Sequence, residues 1–251
     1  MGELGLADDW RQRRASSLES MLIEDEILYP IVSDLIKGKR LGIIQGLALL
    51  KHPNLNAVLH IADLDKKSRY GQNIFFNVNI HVNQSNICVL ACKFCAFRRG
   101  KRADDAYEMD VSTYISQIEP LAEIVDEVHS VGGLHPDWNL SYYCNLFEQT
   151  KNRFPEITIK ALTAVEIKHI ATISGTSYEE TIRQLKQSGL GSIPGGGAEI
   201  LVDSVRDKIC KGKESSQEYL DIHGIAHALG LPTNCTMLFG TVETPEERII
   251  H

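Results

Sequence analysis

Cys88, Cys92 and Cys95 fall within one eight-residue segment, Cys88-Val-Leu-Ala-Cys92-Lys-Phe-Cys95. Three thiolates so close can hold a metal centre while leaving one coordination position without a nearby protein ligand, and an open position is where chemistry can occur. Four thiolates would close a structural zinc site or a fully ligated iron–sulfur cluster, whereas three leave one iron of a [4Fe–4S] cluster free. Zinc completed by His81 or His135 is the competing reading. Cys144, Cys210 and Cys235 are isolated and read as buried or incidental thiols.

Other candidate residues lie in short glycine-rich or polar segments. Gly132-Gly133-Leu134-His135-Pro136-Asp137 allows close approach of backbone to a ligand, and His135 is a candidate base or hydrogen-bond donor. Gly195, Gly196 and Gly197 expose consecutive amides able to cradle an anion, a carboxylate as readily as a phosphate. Neither the dinucleotide-binding nor the P-loop pattern can be read there. Lys160–Ile167 offers Thr163 and Glu166 as ligand contacts. His223 and His227 have the i, i+4 spacing of paired metal ligands but lack the Glu of H-E-x-x-H, and an exposed helix face explains them better. Arg98, Arg99, Lys101 and Arg102 follow the cysteines as a solvated loop, a shield for an anionic cluster or a dock for a redox partner.

The elements that must position these residues follow from periodicity. Residues 1–72 read as a helical segment, with Leu55, Val58, Leu59 and Ala62 on one helix face, and residues 73–251 as an α/β core. Strands are expected at Phe75–Val82, Glu127–Val131, Thr158–Leu162, Leu190–Ile193 and Thr233–Phe239. Helices are expected between them, near Ser112–Val125, Ser141–Arg153, Tyr178–Ser188 and Gln217–Leu229, the alternation of a parallel architecture. In the first strand Asn77, Asn79, His81 and Asn83 share one face and Phe76, Val78, Ile80 and Val82 the other. A polar face suggests a wet lumen that holds a ligand, and the cysteines begin six residues after that strand, where α/β barrels place active sites.

Bulk properties narrow the class. A hydrophobic fraction of 43% supports a substantial core, and 26 basic against 33 acidic residues argue against binding a nucleic-acid backbone. No apolar run approaches the ~20 residues of a membrane span. The first 25 residues carry charge and no apolar stretch of a secretion signal, so a reducing cytoplasm is expected.

The cysteine spacing, with Phe94 just before the third cysteine, resembles the signature of the radical S-adenosylmethionine superfamily. The resemblance implies a partial (β/α) TIM-like barrel with a [4Fe–4S] cluster on Cys88, Cys92 and Cys95 and S-adenosylmethionine bound at the unique iron. An electron, from a donor such as flavodoxin or ferredoxin, then cleaves S-adenosylmethionine to methionine and a 5′-deoxyadenosyl radical. Gly132 and Gly133 become the expected contact to the methionine amino group. Phe94, Thr163, Glu166, Gly195, Gly196 and Gly197 become further cofactor contacts, and His81 and His135 the candidate catalytic residues.

Further segments in order, Val131–Asp137, Lys160–Ile167, Ser192–Ile200 and Thr233–Gly240, resemble the menaquinone-pathway branch that works on futalosine derivatives, closest to its aminodeoxyfutalosine synthase group. That group's implied reaction adds the adenosyl radical to the vinyl ether of 3-[(1-carboxyvinyl)oxy]benzoate, giving 6-amino-6-deoxyfutalosine with S-adenosylmethionine consumed. The cyclic dehypoxanthine futalosine synthases and a synthase of deazaflavin biosynthesis share the glycine-rich segments. A non-catalytic iron–sulfur remnant is the alternative from a different class. Two departures accompany the resemblance: Thr241 stands where the family usually has His, and eleven residues follow Gly240, so a C-terminal part of the barrel is expected to be missing.

Overall fold

The computed structural model describes residues 9–20 and 24–251. They divide into two compact units, one built from the chain up to Phe76 together with Thr244–Ile250, the other from Asn77–Glu243 with His251.

The first unit contains α1 (Trp10–Glu19), α2 (Leu28–Ile36), α3 (Ile43–Leu50), α4 (Leu55–Tyr70) and a short helix over Pro245–Ile250. Leu18, Leu28, Val32 and Ile61 form its core, with Leu35, Leu49, Val58 and Leu64 packed around them. The seam of α4 therefore runs through Val58, Ile61 and Leu64, whereas Leu55 and Leu59 are exposed. Periodicity gave the helix, but the phase of its buried face is set by α1 and α2, which cover the side carrying Ile61. Arg14 is buried between them, donating to Asp65 Oδ1 at 3.2 Å and to the Leu35 carbonyl at 3.1 Å. Gly46 in α3 faces Ile249 so closely that a Cβ would lie 2.7 Å from its Cγ2.

The second unit is a parallel sheet of β1 (Asn79–His81), β2 (Glu127–Ser130), β3 (Thr158–Ala161) and β4 (Leu190–Ser192), in the order β1-β2-β3-β4. Its helices are α5 (Val111–Ile118), α6 (Leu140–Arg153), α7 (Ala164–Ser174), α8 (Tyr178–Gln187), α9 (Asp203–Ile209) and α10 (Ser216–Ala228). Sequential parallel strands joined through helices are the construction of a (β/α) barrel, here in part. Val128 and Ile159 are fully buried among Tyr114, Leu146, Phe147, Ile167 and Ile182, so the helices cover one face of the sheet. The opposite face carries Asn79, His81, Glu127, His129 and Lys160, as side-chain alternation requires.

Three expected elements differ in extent. The first strand narrows to three residues, because Phe75 and Phe76 are exposed and find no partner strand. The helix expected to reach Val125 ends at Ile118 in a 3₁₀ turn, since Pro120 cannot donate the next backbone hydrogen bond. Thr233–Phe239 is not a strand: only Thr233 bridges to Ile193, after which Thr236 Oγ1 donates to the Gly195 carbonyl and Leu238 N–H to the Glu199 carbonyl. The glycine loop takes the hydrogen bonds a ladder with β4 would need. Among the described residues no helix is long and apolar enough to cross a membrane.

Truncating Ile159 to Ala in the sheet core is expected to lower the unfolding free energy by about 2–5 kcal/mol in urea titrations. Ile44→Ala, at a side chain 84% exposed, should stay within about 0.5 kcal/mol of the parent.

Candidate active site

One cavity at the C-terminal ends of the strands is lined by Cys88, Cys92, Phe94, Cys95, Gly132, Gly133, Thr163, Gly196 and Gly197, with Leu90, Arg98, Glu199 and Lys213 completing the wall. These residues come from the loops after all four strands, so the sheet gathers what the chain separates.

The cysteine loop is fixed by backbone pairing. Cys88 N–H donates to the Arg99 carbonyl at 3.0 Å, Arg99 N–H to Asn86 O at 2.7 Å and Val89 N–H to Leu134 O at 3.1 Å. Asn86 clamps the return of the loop, donating to Asp105 O and accepting from Tyr107 N–H. At the tip, Lys93 N–H donates to Ile209 O at the end of α9.

Gly132 and Gly133 are where this loop rests on the exit of β2. A Cβ on Gly132 would lie 2.5 Å from Gln84 Nε2, and one on Gly133 2.2 Å from the Ile87 carbonyl oxygen. Their amides are already spent, Gly132 N–H on Glu166 Oε1 at 3.0 Å and Gly133 N–H on Ser85 O at 2.8 Å. What remains for a ligand is carbonyl oxygen, which suits an ammonium group.

Glu166 is a buried tie between strand exits. Besides Gly132, it accepts from Thr163 N–H and Oγ1, both at 2.7 Å, closing a capping box on α7. Burial pushes its carboxyl up while these donors pull it down. Thr163 lines the cavity directly, and its methyl packs where a side chain on Gly196 would begin.

Glu199 and Lys213 pair across the wall at 2.6 Å, each side chain 11% exposed. The Lys213 ammonium also sits 5.5 Å from the centre of the Phe94 ring. Burial lifts the Cys92 thiol, and the Lys213 cation opposes that shift. Behind the glycine loop, buried Arg206 donates to the carbonyls of Gly197 and Ala198 and twice to that of Glu214. Its Nη2 stands 3.1 Å from Glu214 Oε1, but neither carboxylate oxygen of Glu214 is hydrogen-bonded.

Other candidates lie outside the cavity lining. His135 is buried, with Nε2 2.7 Å from Glu108 Oε2 and Nδ1 accepting from Asp137 N–H, so both ring nitrogens are engaged locally. His81 lies one layer deeper, its ring 4.5 Å from that of His129. The Gly195 carbonyl accepts from Tyr219 and Thr236, and Glu166 reaches the cavity only through Gly132 and Thr163. His227 contacts Thr233 Oγ1 while His223 stacks under Tyr219. Sequence reasoning missed Lys213 and Arg206. Fourteen residues separate Lys213 from Glu199, and no local pattern signals their pairing.

The three site cysteines are free thiols on one wall, with no histidine in the lining. Among the described residues no three histidine, cysteine or carboxylate side chains are placed to hold a single metal ion. A cubane takes one thiolate on each of three irons, and three free cysteines that line one cavity without converging on a single ion suit that demand.

Comparison with known proteins agrees with this geometry. The radical SAM superfamily model matches residues 82–251, and the chain belongs to that superfamily. Its members use a [4Fe–4S] cluster and S-adenosylmethionine. An aminodeoxyfutalosine synthase of Thermus thermophilus is 40% identical over 91% of this chain and 62% of its own length. A 5-amino-6-(D-ribitylamino)uracil–L-tyrosine 4-hydroxyphenyl transferase of Synechocystis is 39% identical over 82% and 55%, respectively. A cyclic dehypoxanthine futalosine synthase of Streptomyces coelicolor is 35% identical over 92% and 59%. The chain thus spans little more than half the length of these relatives. The FeFe-hydrogenase maturase of Carboxydothermus hydrogenoformans shares the fold at 22% identity with a TM-score of 0.66, covering 95% of this chain and 54% of that one.

Gly133→Ala should displace the cysteine loop and sharply reduce iron bound after anaerobic reconstitution, measured as iron and sulfide per chain. Gly224→Ala, where an added Cβ meets nothing within 4 Å, should bind iron like the parent. Glu214 gives a pH test. Burial pushes its carboxyl up to about 7 from an ordinary 4.5, against the pull of Arg206 and Lys213. The folded chain holds this proton more tightly, so the group's contribution to stability is full below its unfolded pKa and is lost as pH rises through about 7. The stability of Glu214→Gln relative to the parent should therefore rise between pH ~5 and ~8 in urea titrations; an unchanged difference would contradict the assignment.

Proposed function

We propose that this chain forms the catalytic core of an aminodeoxyfutalosine synthase, joining the 5′-deoxyadenosyl part of S-adenosylmethionine to 3-[(1-carboxyvinyl)oxy]benzoate to give 6-amino-6-deoxyfutalosine, with methionine released and the vinyl-ether carboxyl carbon lost in the rearrangement. The observation that carries the reading is the gathering of three free thiols and two glycine-rich strand exits on one cavity, in a chain 40% identical to a synthase of that name. Cys88, Cys92 and Cys95 hold the cluster, which when bound supplies the electron that cleaves the sulfonium bond. The carbonyls of Gly132 and Gly133 receive the methionine ammonium, since their amides are committed elsewhere. Thr163, Gly196 and Gly197 form the opposite wall and hold the adenosyl part against the substrate. Phe94 and Leu90 keep water from the reacting atoms, a task that matters because the cofactor carries the hard chemistry. A low-potential donor such as flavodoxin or ferredoxin provides the electron, and the Arg98 cation at the cavity wall favours its approach.

Anaerobically reconstituted protein should show broad absorbance near ~400 nm, the thiolate-to-iron band of such clusters. With dithionite, S-adenosylmethionine and the vinyl ether, it should form 6-amino-6-deoxyfutalosine by mass spectrometry. Failure to bind iron would sink the reading. The 35% identity to the cyclic synthase, across 92% of the chain, favours one second reading, cyclisation of dehypoxanthine futalosine, and assay of that substrate separates the two. Metal binding without 5′-deoxyadenosine under reducing conditions would instead mark a non-catalytic remnant.

A further inference from the structure

On the helix-free face of the sheet, one row of polar residues crosses all four strands. His81 is in register with His129, His129 with Lys160 and Lys160 with Ser192. At β1 the row opens to solvent, with Asn79 and His81 exposed, whereas His129 and Lys160 are half-buried, so its inner part is polar without being freely hydrated. His129 lies two residues before Val131, which lines the cavity, and so the row sits about 6.6 Å below it on the same face.

The row contains hydrogen-bonding capacity that the protein does not use. Lys160 Nζ is 3.8 Å from Glu127 Oε1, beyond hydrogen-bond reach, and that oxygen is buried without a hydrogen-bond partner. The Lys160 side chain is only 18% exposed, and its ammonium, which has no hydrogen-bond partner among the described residues, keeps access to solvent and to a ligand. Glu127 stands two residues nearer the start of β2 than His129. It therefore faces Lys160 from below, holding the cation in place while the cavity opens above. The rings of His81 and His129 lie 4.5 Å apart at a 30° tilt, and His129 is in register with Lys160 on the next strand. Burial, then the neighbouring His81 and Lys160, pushes His129 down to about 4, so it enters neutral, with one N–H to donate. Donors outnumber acceptors on the cavity side of the row. No metal-ion group of three ligands is formed there among the described residues, which favours an anion over a cation.

We propose that His81, His129 and Lys160 form a carboxylate seat beneath the cofactor cavity, with Lys160 and His129 gripping an aromatic carboxylate substrate. The seat deepens the function proposed above and rests on it for the aromatic substrate, whereas the ligand class, a carboxylate, follows from the row itself. Glu127, one layer deeper and in register with Asn79, positions Lys160.

Isothermal titration of the reconstituted protein with S-adenosylmethionine, without reductant, measures the seat directly. The probes are 3-[(1-carboxyvinyl)oxy]benzoate, 3-methoxybenzoate and the uncharged 3-methoxybenzamide. Lys160→Met and His129→Gln should each weaken the two carboxylates roughly 10- to 100-fold, the loss expected for a charge-assisted hydrogen bond. Lys160→Arg should recover most of the affinity, and the amide should respond little to any variant. Thermal melts matching the parent exclude misfolding. Unchanged carboxylate affinity in both variants overturns the proposal, as does equal loss for carboxylate and amide or no carboxylate binding by the parent. Carboxylate binding that depends on Lys160, without futalosine product on reduction, would leave the seat standing and remove the synthase reading. Product formation with unaltered KM in Lys160→Met would do the reverse.

Discussion

The Ile87 carbonyl lies so close to Gly133 that a methyl group there would sit 2.2 Å from its oxygen. This contact sets the position of the cysteine loop. Cys88 follows Ile87 immediately, and Val89 N–H reaches Leu134 O on the far side of the glycine. The loop between β1 and α5 is therefore held against the exit of β2 by backbone rather than by long side chains. A backbone contact adds no side-chain rotamer entropy to the cost of fixing the chain, whereas a contact through long side chains does. A site that must present three thiols to one cluster gains from the stiffer arrangement.

Around that contact, buried charges tie the other strand exits together. Glu166 joins β2 to the start of α7, and Arg206 joins the glycine loop to the segment before α10. Burying such groups is unfavourable unless their hydrogen bonds are met, and here backbone groups of the site meet most of them. Each tie thus converts a desolvation cost into a fixed loop. The backbone is also strained at the rim: Leu162 has φ 62° and Glu199 φ 43°, both left-handed and neither a glycine. Left-handed geometry disfavours such residues by about 1–2 kcal/mol. Leu162 turns the chain so that Thr163 meets both the cavity and Glu166, and Glu199 turns so that its carboxylate meets Lys213.

Much of this was legible in the sequence, for reasons that differ between residues. The cysteine spacing and the glycine pairs are local, so chain order alone shows them. Strands β2, β3 and β4 and helices α6, α8 and α10 follow from apolar runs and caps that local physics dictates. Thr163 and Glu166 are legible as site candidates, but not as a capping box, because only Leu162 and Thr163 separate β3 from α7 and no loop marks the helix start. Pairing of Lys213 with Glu199, and of Lys160 with Glu127, depends on tertiary register and leaves no trace in spacing. The phase of α4 was hidden for the same reason. A period of 3.6 tells which residues share a face, but only a neighbouring helix decides which face is buried.

Two layers on one sheet face then divide the chemistry. At the strand exits, glycines and thiols dominate, because a large cofactor must approach backbone closely and any side chain would fill its place. One layer down, His81, His129 and Lys160 stand in register on the same face, large and polar where the exits are glycine and thiol. Such a division separates the requirement shared across the superfamily from the one particular to a substrate. The upper layer is built from backbone geometry and tolerates little change, as the clash at Gly133 shows. The lower layer is built from side chains on rigid strands, where exchanging one residue alters charge and reach without moving the cysteine loop. On the proposed seat, selectivity for the substrate belongs in the row beneath the cavity, and not in the three-cysteine segment that identifies the family.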